Sequence, residues 1–385
     1  MKILHVTRDN HEDKRYGMSR AVTQLQSGLR TRDVEIDGLC AGDLSPATVR
    51  LAYDRAQRWA HRWGRDLLPL FDVISRAWHT GVAAADLVRT SGNDPITHVH
   101  CHDAVIAHGY LHRARQQRSP WGVTQHSFDT IANSLHHYYM PLPSMLRSLL
   151  LRLEREVFEQ AQWVIFPTGL GAARVSQGLG LDGELPPNWF VLPHAKRPWQ
   201  LPPRETARQR LGWRDDERIL LCVGQLIPLK RIDWVVQAMK GAPSPWRLVI
   251  LGEGDSNGLH RVAAEAGIAP PLITATDDPR DYFAGADAFT SASATESFGM
   301  AHIEALQAGL PCACTAVGGV PELMGDACVL LPDEFDAYVQ GLHRFLADEL
   351  VLRQSAERAR VHAATLPGVD EVARQHIEIY RIALR

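Results

Sequence analysis

Short apolar runs alternate with longer stretches of helical period along the whole chain, and this alternation predicts most of the fold. In the first half the runs at 2–6, 34–40, 96–101, 122–126, 163–167 and 188–193 read as strands. In the second half the runs at 218–223, 247–252, 271–274, 288–291, 311–315 and 328–331 repeat the plan. Helical spacing is clearest at 18–29, 146–160, 233–239 and 369–384. Strands nearly continuous in Val, Ile and Leu, joined by helical crossovers, imply parallel sheets covered on both faces. The pattern therefore predicts an α/β chain of two doubly wound, Rossmann-like domains. Residues 194–203 mark the boundary, because they hold Pro198, Pro202 and Pro203 and no clear period.

Bulk properties narrow the picture. At 385 residues the chain has room for two ordinary cores. Apolar residues make up 45% and charged residues 22%, and the net charge is −3. That balance suits a globular protein and argues against nucleic acid as a partner. The opening MKILHVT reads as a buried strand rather than a signal peptide. No run approaches the roughly 18 apolar residues of a membrane span. The six cysteines are scattered, and only Cys312 and Cys314 are close, with no partner at metal spacing. Reduced thiols and no export signal point to the cytoplasm.

Candidate chemistry concentrates in one run, from Glu296 through Ser297, Phe298, Gly299, Met300, Ala301, His302 and Ile303 to Glu304. Small polar residues precede it, and a helical pattern follows that stops at Gly309 with Pro311 just beyond. Glu296 thus falls in the loop entering a helix, and Glu304 two turns into it. The free amides of Ser297, Phe298, Gly299 and Met300 would crown the helix start, where a phosphate is well received. In doubly wound sheets the loops at the carboxyl ends of the strands carry the ligand. Those loops are 8–17, 102–103, 126–130, 224–230, 252–255 and 295–299. They come from both halves, so the site is expected in a cleft between the domains. Loop 224–231 offers Gly224 for close approach and Lys230 and Arg231 for phosphate oxygens, although taken alone it reads more readily as a plain connection with solvated cations. Neither a P-loop nor a Gly-x-Gly-x-x-Gly fingerprint follows a strand.

Taken in order, these segments resemble the family 4 glycosyltransferases, retaining enzymes of the GT-B fold and the group 1 type. The resemblance rests on five pieces: Val223-Gly224 leading to Lys230; Leu251-Gly252-Glu253-Gly254; Ala284-Gly285-Ala286-Asp287; the Glu296 to Glu304 run; and Val317-Gly318-Gly319-Val320-Pro321. It implies a nucleotide-diphosphate sugar as donor, bound by domain 195–368. An acceptor would be bound by domain 1–194, to which the final helix, about 369–385, returns. Glu304 would hold the ribose, Glu296 would face the donor sugar, and Ser297, Phe298, Gly299 and Met300 would meet the diphosphate together with Lys230. Gly17, Gly224, Gln225, Arg231, Gly252 and Glu253 complete the donor set. His126, in Thr124-Gln125-His126, resembles the histidine that contacts the sugar near the reacting carbon. His102 and Asp103 would serve the acceptor. No cofactor is implied, and no metal is expected at the diphosphate, where Lys230 and the helix start would stand in for one.

Three departures from the family pattern stand out. Gln225 replaces an arginine, with Arg231 as the candidate substitute; one glycine, Gly17, stands where two are common; and Pro193-His194-Ala195-Lys196 replaces Pro-Asn-Gly. His98, His100 and His102 alternate, so a strand would put them on one face, as hydrogen-bonded cleft residues or as a metal site. Two stretches, 50–65 with Trp59 and Trp63 among arginines and 145–155 with a leucine stripe, are basic and amphipathic. Such helices either cover the core or lie on anionic lipid at the cytoplasmic face of the inner membrane, which would suit a lipid-linked acceptor. The reading is a retaining, metal-independent glycosyltransferase acting on a cell-envelope polysaccharide, lipopolysaccharide or glycolipid. The rivals are a nucleotide-sugar epimerase and a non-catalytic sugar-nucleotide-binding subunit.

Overall fold

A computed structural model describes residues 1–8, 17–114, 119–138, 142–181 and 184–383, with backbone alone at 136–138. The chain forms two compact units. One comprises Met1–Ala195 with Val369–Arg385, and the other Lys196–Gly368.

The strands of the first unit are β1 (Lys2–Thr7), β2 (Glu35–Cys40), β3 (His98–Cys101), β4 (Trp121–Thr124), β5 (Trp163–Phe166) and β6 (Trp189–Val191). Those of the second are β7 (Arg218–Val223), β8 (Trp246–Leu251), β9 (Leu272–Thr274), β10 (Ala288–Ser291), β11 (Cys312–Thr315) and β12 (Cys328–Leu331). The helices through the first unit are α1 (Gly17–Arg30), α2 (Pro46–Trp63), α3 (Leu68–Thr90), α4 (Ala104–Arg113), α5 (Ile131–Tyr138), α6 (Ser144–Gln160) and α7 (Gly169–Gly178). There follow α8 (Arg204–Leu211), α9 (Ile232–Ala238), α10 (Ser256–Ala266), α11 (Arg280–Gly285), α12 (Met300–Gln307) and α13 (Val320–Met324). The last three are α14 (Phe335–Ala347), α15 (Glu349–Thr365) and α16 (Val369–Ile382).

Each unit holds one parallel sheet of six strands, ordered β2-β1-β3-β4-β5-β6 and β12-β11-β10-β7-β8-β9. All twelve apolar runs are strands, most shifted at an end by a residue or two. Most are legible because both faces are buried, while β2, β6 and β9 keep exposed or half-buried positions. Along β1, Leu4 and Val6 join one core and Ile3 the opposite one. Along β7, Ile219 and Leu221 join one core, and Leu220 and Cys222 the other.

Local chemistry sets several helix ends. Ser45 caps α2, accepting from the Thr48 amide with Pro46 in the first turn. Asp103 caps α4 through the Val105 and Ile106 amides, and α10 ends at Gly267 with φ +71°. α16 packs on α1, where a Cβ at Gly28 would come within 2.7 Å of Val369 Cγ1. The closest helix contact is between α3 and α4. A Cβ on Gly81 would lie 1.9 Å from the Ile106 carbonyl oxygen, and one on Gly109 only 2.0 Å from that of Trp78. Backbone cannot yield as a side-chain tip does, so Gly109→Ala should destabilise the first unit by about 2–3 kcal/mol, read by chemical denaturation.

Candidate active site

In the second unit the loops at the carboxyl ends of β7, β8, β10 and β11 are stitched together by backbone. A Cβ on Gly252 would sit 1.8 Å from the Gly224 carbonyl oxygen, so only glycine lets these two loops touch. The Leu226 amide donates to the Glu253 carbonyl at 2.8 Å, and the Ala294 amide to the Leu229 carbonyl at 2.9 Å. The Thr315 hydroxyl donates to the Ser293 carbonyl at 2.8 Å. The Gly319 amide donates to the Glu296 carbonyl at 2.8 Å. Loop 293–299 is therefore held from both sides.

That frame presents a charge pair. Lys230 ends a single turn, Pro228–Lys230, and its stem runs over Gly224. Its ammonium donates to Glu296 Oε1, and the Ser293 hydroxyl donates to the same oxygen at 2.9 Å. The two side chains keep 23% and 12% of their exposure, so both remain within reach of a ligand. Burial pushes the Glu296 carboxyl up, but the charge of Lys230 and the hydrogen bonds from Lys230 and Ser293 outweigh it, and the group lies below its ordinary range. Glu296 is an ionised carboxylate at neutral pH.

Gly318 sets the height of this carboxylate. Its φ is +56°, and a Cβ there would stand 2.0 Å from the Glu296 carbonyl oxygen. Gly318→Ala should displace loop 293–299 and cut kcat by about tenfold or more, with a lower melting temperature. Steady-state kinetics beside a thermal melt checks both.

The helix that follows departs from expectation. α12 begins at Met300, with Gly299 as its cap at φ +78°. The left-handed Gly299 breaks the winding, so Ser297 and Phe298 belong to the loop, and the Phe298 ring is buried in the core beneath it. Only Gly299, Met300 and Ala301 stand at the helix start. A Cβ on Gly299 would be 2.6 Å from His302 Nδ1. His302 is buried edge-on to Phe289, and neither of its ring nitrogens pairs with a described protein group. Burial, against the pull of Glu296, lowers it to about 4, so it is neutral.

Glu304 is fully buried and pairs with Arg197 Nε at 2.8 Å. Arg197 also lies over the Trp199 ring at 4.7 Å, and Gln307 holds its backbone at both ends. Sequence reading missed Arg197. In sequence it is only the second of two adjacent cations, Lys196 and Arg197, in the proline-rich stretch, 107 positions from its partner. Gln225 is half-buried, while Gly252 and the exposed Glu253 form the β8 loop. Arg231, at φ +44°, pairs with Asp333 and lies 4.4 Å from the Trp234 ring, turned to those partners rather than to Gln225's place.

In the first unit, Gly17 opens α1, and the loop before it, 9–16, lies outside the described residues. His98, His100 and His102 do share a face and are buried. His98 bonds the Thr97 hydroxyl and the Tyr380 carbonyl. His100 bonds the hydroxyls of Tyr380 and Thr124, each at 2.7 Å. His102 bonds His5 and His126, at 2.9 and 3.0 Å. The tightest histidine cluster is thus His5, His100 and His102, not the alternating three. The rings of His100 and His102 stack at 4.3 Å and 24°, so their in-plane lone pairs run nearly parallel instead of converging. Asp103 is occupied as the α4 cap and pairs with Arg8 Nε at 3.1 Å. His126 sits half-buried two residues beyond β4.

The basic stretches pack inward. Trp59 meets Phe71 edge-on at 5.8 Å, Trp63 packs on the same core, and Arg55 lies over Trp78 at 4.2 Å. α6 buries Leu146 and Leu150 and exposes Met145 and Leu149. Among the described residues no helix is long and apolar enough to cross a membrane.

The two six-stranded parallel sheets with their flanking helices are those of the GT-B fold. Two family models match: "Glycosyltransferase Family 4" over residues 16–188 and "Glycosyl transferases group 1" over 203–362. The chain belongs to this family of glycosyltransferases. A D-inositol 3-phosphate glycosyltransferase of Streptomyces bingchenggensis is 31% identical over 204 residues, 47% of this chain and 44% of that protein. The match thus spans less than half of that relative's length. Sucrose-phosphate synthase from Thermosynechococcus elongatus superposes with a TM-score of 0.75 at 18% identity, over 99% of this chain and 98% of that one. WaaG, a glycosyltransferase involved in lipopolysaccharide biosynthesis, superposes with a TM-score of 0.70 at 16% identity, over 98% and 99%.

Proposed function

We propose that the chain transfers a sugar, with retention, from a nucleotide-diphosphate donor to a hydroxyl of a cell-envelope glycan or glycolipid. The observation that carries this reading is the Lys230–Glu296 pair at the head of α12. As the bond from the anomeric carbon to the diphosphate lengthens, negative charge grows on the departing phosphate and positive charge on the sugar ring. Lys230 and the amides of Gly299 and Met300 meet the first, and the Glu296 carboxylate meets the second. Glu304 would reach the ribose hydroxyls once its buried pair with Arg197 opens, and His126 is assigned to the sugar by the family resemblance. The acceptor hydroxyl attacks from the side the diphosphate leaves, its proton passing to a phosphate oxygen. The choice of an envelope acceptor rests on the likeness to WaaG, a glycosyltransferase involved in lipopolysaccharide biosynthesis.

The test is a thermal-shift screen over nucleoside diphosphates and their sugars, followed by transfer to an acceptor panel of inositol phosphates and lipid-linked glycans. A bound donor should raise the melting temperature. The new linkage should keep the donor's anomeric configuration by NMR, and a chelator should leave turnover unchanged. Conversion of donor without acceptor would favour an epimerase. Donor binding without transfer to any acceptor would favour a binding subunit.

A further inference from the structure

A buried carboxylate of the second unit is matched by an arginine whose backbone is fixed. Glu304 and Gln307 stand three residues apart on α12 and share a face. Gln307 grips the main chain of Arg197 from both sides. Its amide donates to the Arg197 carbonyl at 2.7 Å, and its oxygen accepts from the Arg197 amide at 3.2 Å. The neighbouring Lys196 is tied as well, its amide donating to the Pro367 carbonyl at 2.9 Å and its ammonium to the Ala363 carbonyl at 2.8 Å. From this backbone Arg197 Nε reaches Glu304 Oε1 at 2.8 Å. The Arg197 side chain keeps 13% of its exposure and Glu304 none, so Arg197 is the member of the pair that solvent reaches.

We propose that Arg197 is a latch on the nucleotide site: it closes over Glu304, and the ribose of an incoming nucleoside diphosphate displaces it. The latch makes affinity depend on the ribose hydroxyls, and so selects ribonucleotides from ligands that lack them. This rests on the reading that Glu304 takes those hydroxyls.

A buried carboxylate without a donor is costly, so Glu304 gives up Arg197 only to a ligand that brings donors of its own. The two neighbouring hydroxyls of a ribose bring two O–H groups, and a carboxylate accepts on both oxygens. The carboxylate is thus paired before and after the exchange. The guanidinium keeps a support when it lets go. It lies 4.7 Å from the Trp199 ring, itself seated on Phe283 at 5.5 Å, and a planar cation can turn while staying on that face. Asp278, held below its ordinary range chiefly by the hydrogen bond from Arg280, also feels the charge of Arg197. A second carboxylate is therefore near enough to favour the released cation. With the latch closed most of the time, the measured affinity is the intrinsic one reduced by the open fraction.

The experiment sets two ligands against two proteins. Uridine, guanosine and adenosine diphosphates are titrated calorimetrically into the full chain, and the tightest is compared with its 2′,3′-dideoxy counterpart. The native chain should bind the ribonucleotide more tightly than the dideoxy compound. Arg197→Ala should bind the ribonucleotide more tightly still, by about tenfold for a latch open about one-tenth of the time, while the dideoxy compound binds both proteins alike. The ratio of the two affinities decides, because a general loss of packing would move both ligands together. If a melt shows that Arg197→Ala does not fold, Arg197→Gln, whose neutral amide still donates to Glu304, should raise the same ratio by less. A ratio unchanged or lowered in the variant overturns the latch and leaves Glu304 as the ribose residue. A native ratio of one overturns the ribose reading of Glu304, and the latch with it. Failure of both proteins to bind any of the three diphosphates overturns the donor site itself, and the latch again with it.

Discussion

Lys230→Ala is expected to lower kcat by two to three orders of magnitude, about what removal of one pre-placed charge from a leaving-group site costs. The same change should alter Glu296. Burial alone would raise that carboxyl, and Lys230 is the first of the groups that bring it below its ordinary range. A carboxyl held down in the folded state contributes stability above its unfolded pKa, and loses it as the pH falls through the folded value. Without Lys230 the balance tips toward burial, so Glu296 should take up a proton at higher pH than in the native protein. The acid limb of kcat/KM should therefore move upward in Lys230→Ala. Glu296→Gln makes the complementary test. The amide still accepts from Lys230 and Ser293, so the fold should survive, yet it cannot offset positive charge on the sugar. Its kcat should fall comparably, with no acid limb from this position. Steady-state kinetics between pH 5 and 9, with melts on the same samples, separates these outcomes. A Lys230→Ala enzyme within threefold of native kcat would sink the assigned role.

The strands were legible because each needed only its own residues: a parallel strand buried on both faces is apolar throughout, as β7 and β8 show. The α3 helix was not singled out, because its 23 residues mix Trp78, His79, Arg76 and three central alanines without a sharp stripe. Its packing on α4 depends on Gly81 and Gly109, which look alike in sequence and meaningful only as a pair. The same holds for the site. Glu296, Lys230 and Gly318 lie at strand ends, where a general rule points, and backbone contacts bring them together. The Arg197 to Glu304 pair has no local signature, since two elements far apart in the chain must fold before the guanidinium meets the carboxylate. The first-unit histidines sit between these cases. Alternation placed His100 and His102 on one face, but which neighbours they meet depends on the registers of β1 and β4, which no single segment encodes.

Glu154→Gln should remove a loss of stability that the native protein suffers as the pH rises from about 5 to about 8. Glu154, on α6, is fully buried, accepting from the Gln125 amide at 2.9 Å and from the Ile131 backbone amide at 3.0 Å. It therefore anchors the loop that carries His126. Burial raises the carboxyl from 4.5 to about 8, against the hydrogen bond from Ile131 and with the help of Asp103 and Asp129. Between those two values the folded chain keeps a proton that the unfolded chain gives up. Stability therefore falls as pH rises through this window, by about 5 kcal/mol in full. A glutamine keeps an oxygen for Ile131, and Gln125 can turn its own carbonyl to the new amide, at no cost in charge. Buried histidines held below their ordinary range, such as His302 and His376, act in the opposite sense at lower pH. The readout is thus the difference between the two proteins in denaturant unfolding at pH 5, 6.5 and 8. That difference should be small at pH 5 and should favour the variant increasingly toward pH 8. Parallel curves would show that Glu154 does not hold a proton in the folded state, and that the His126 loop is anchored by an ionised carboxylate instead.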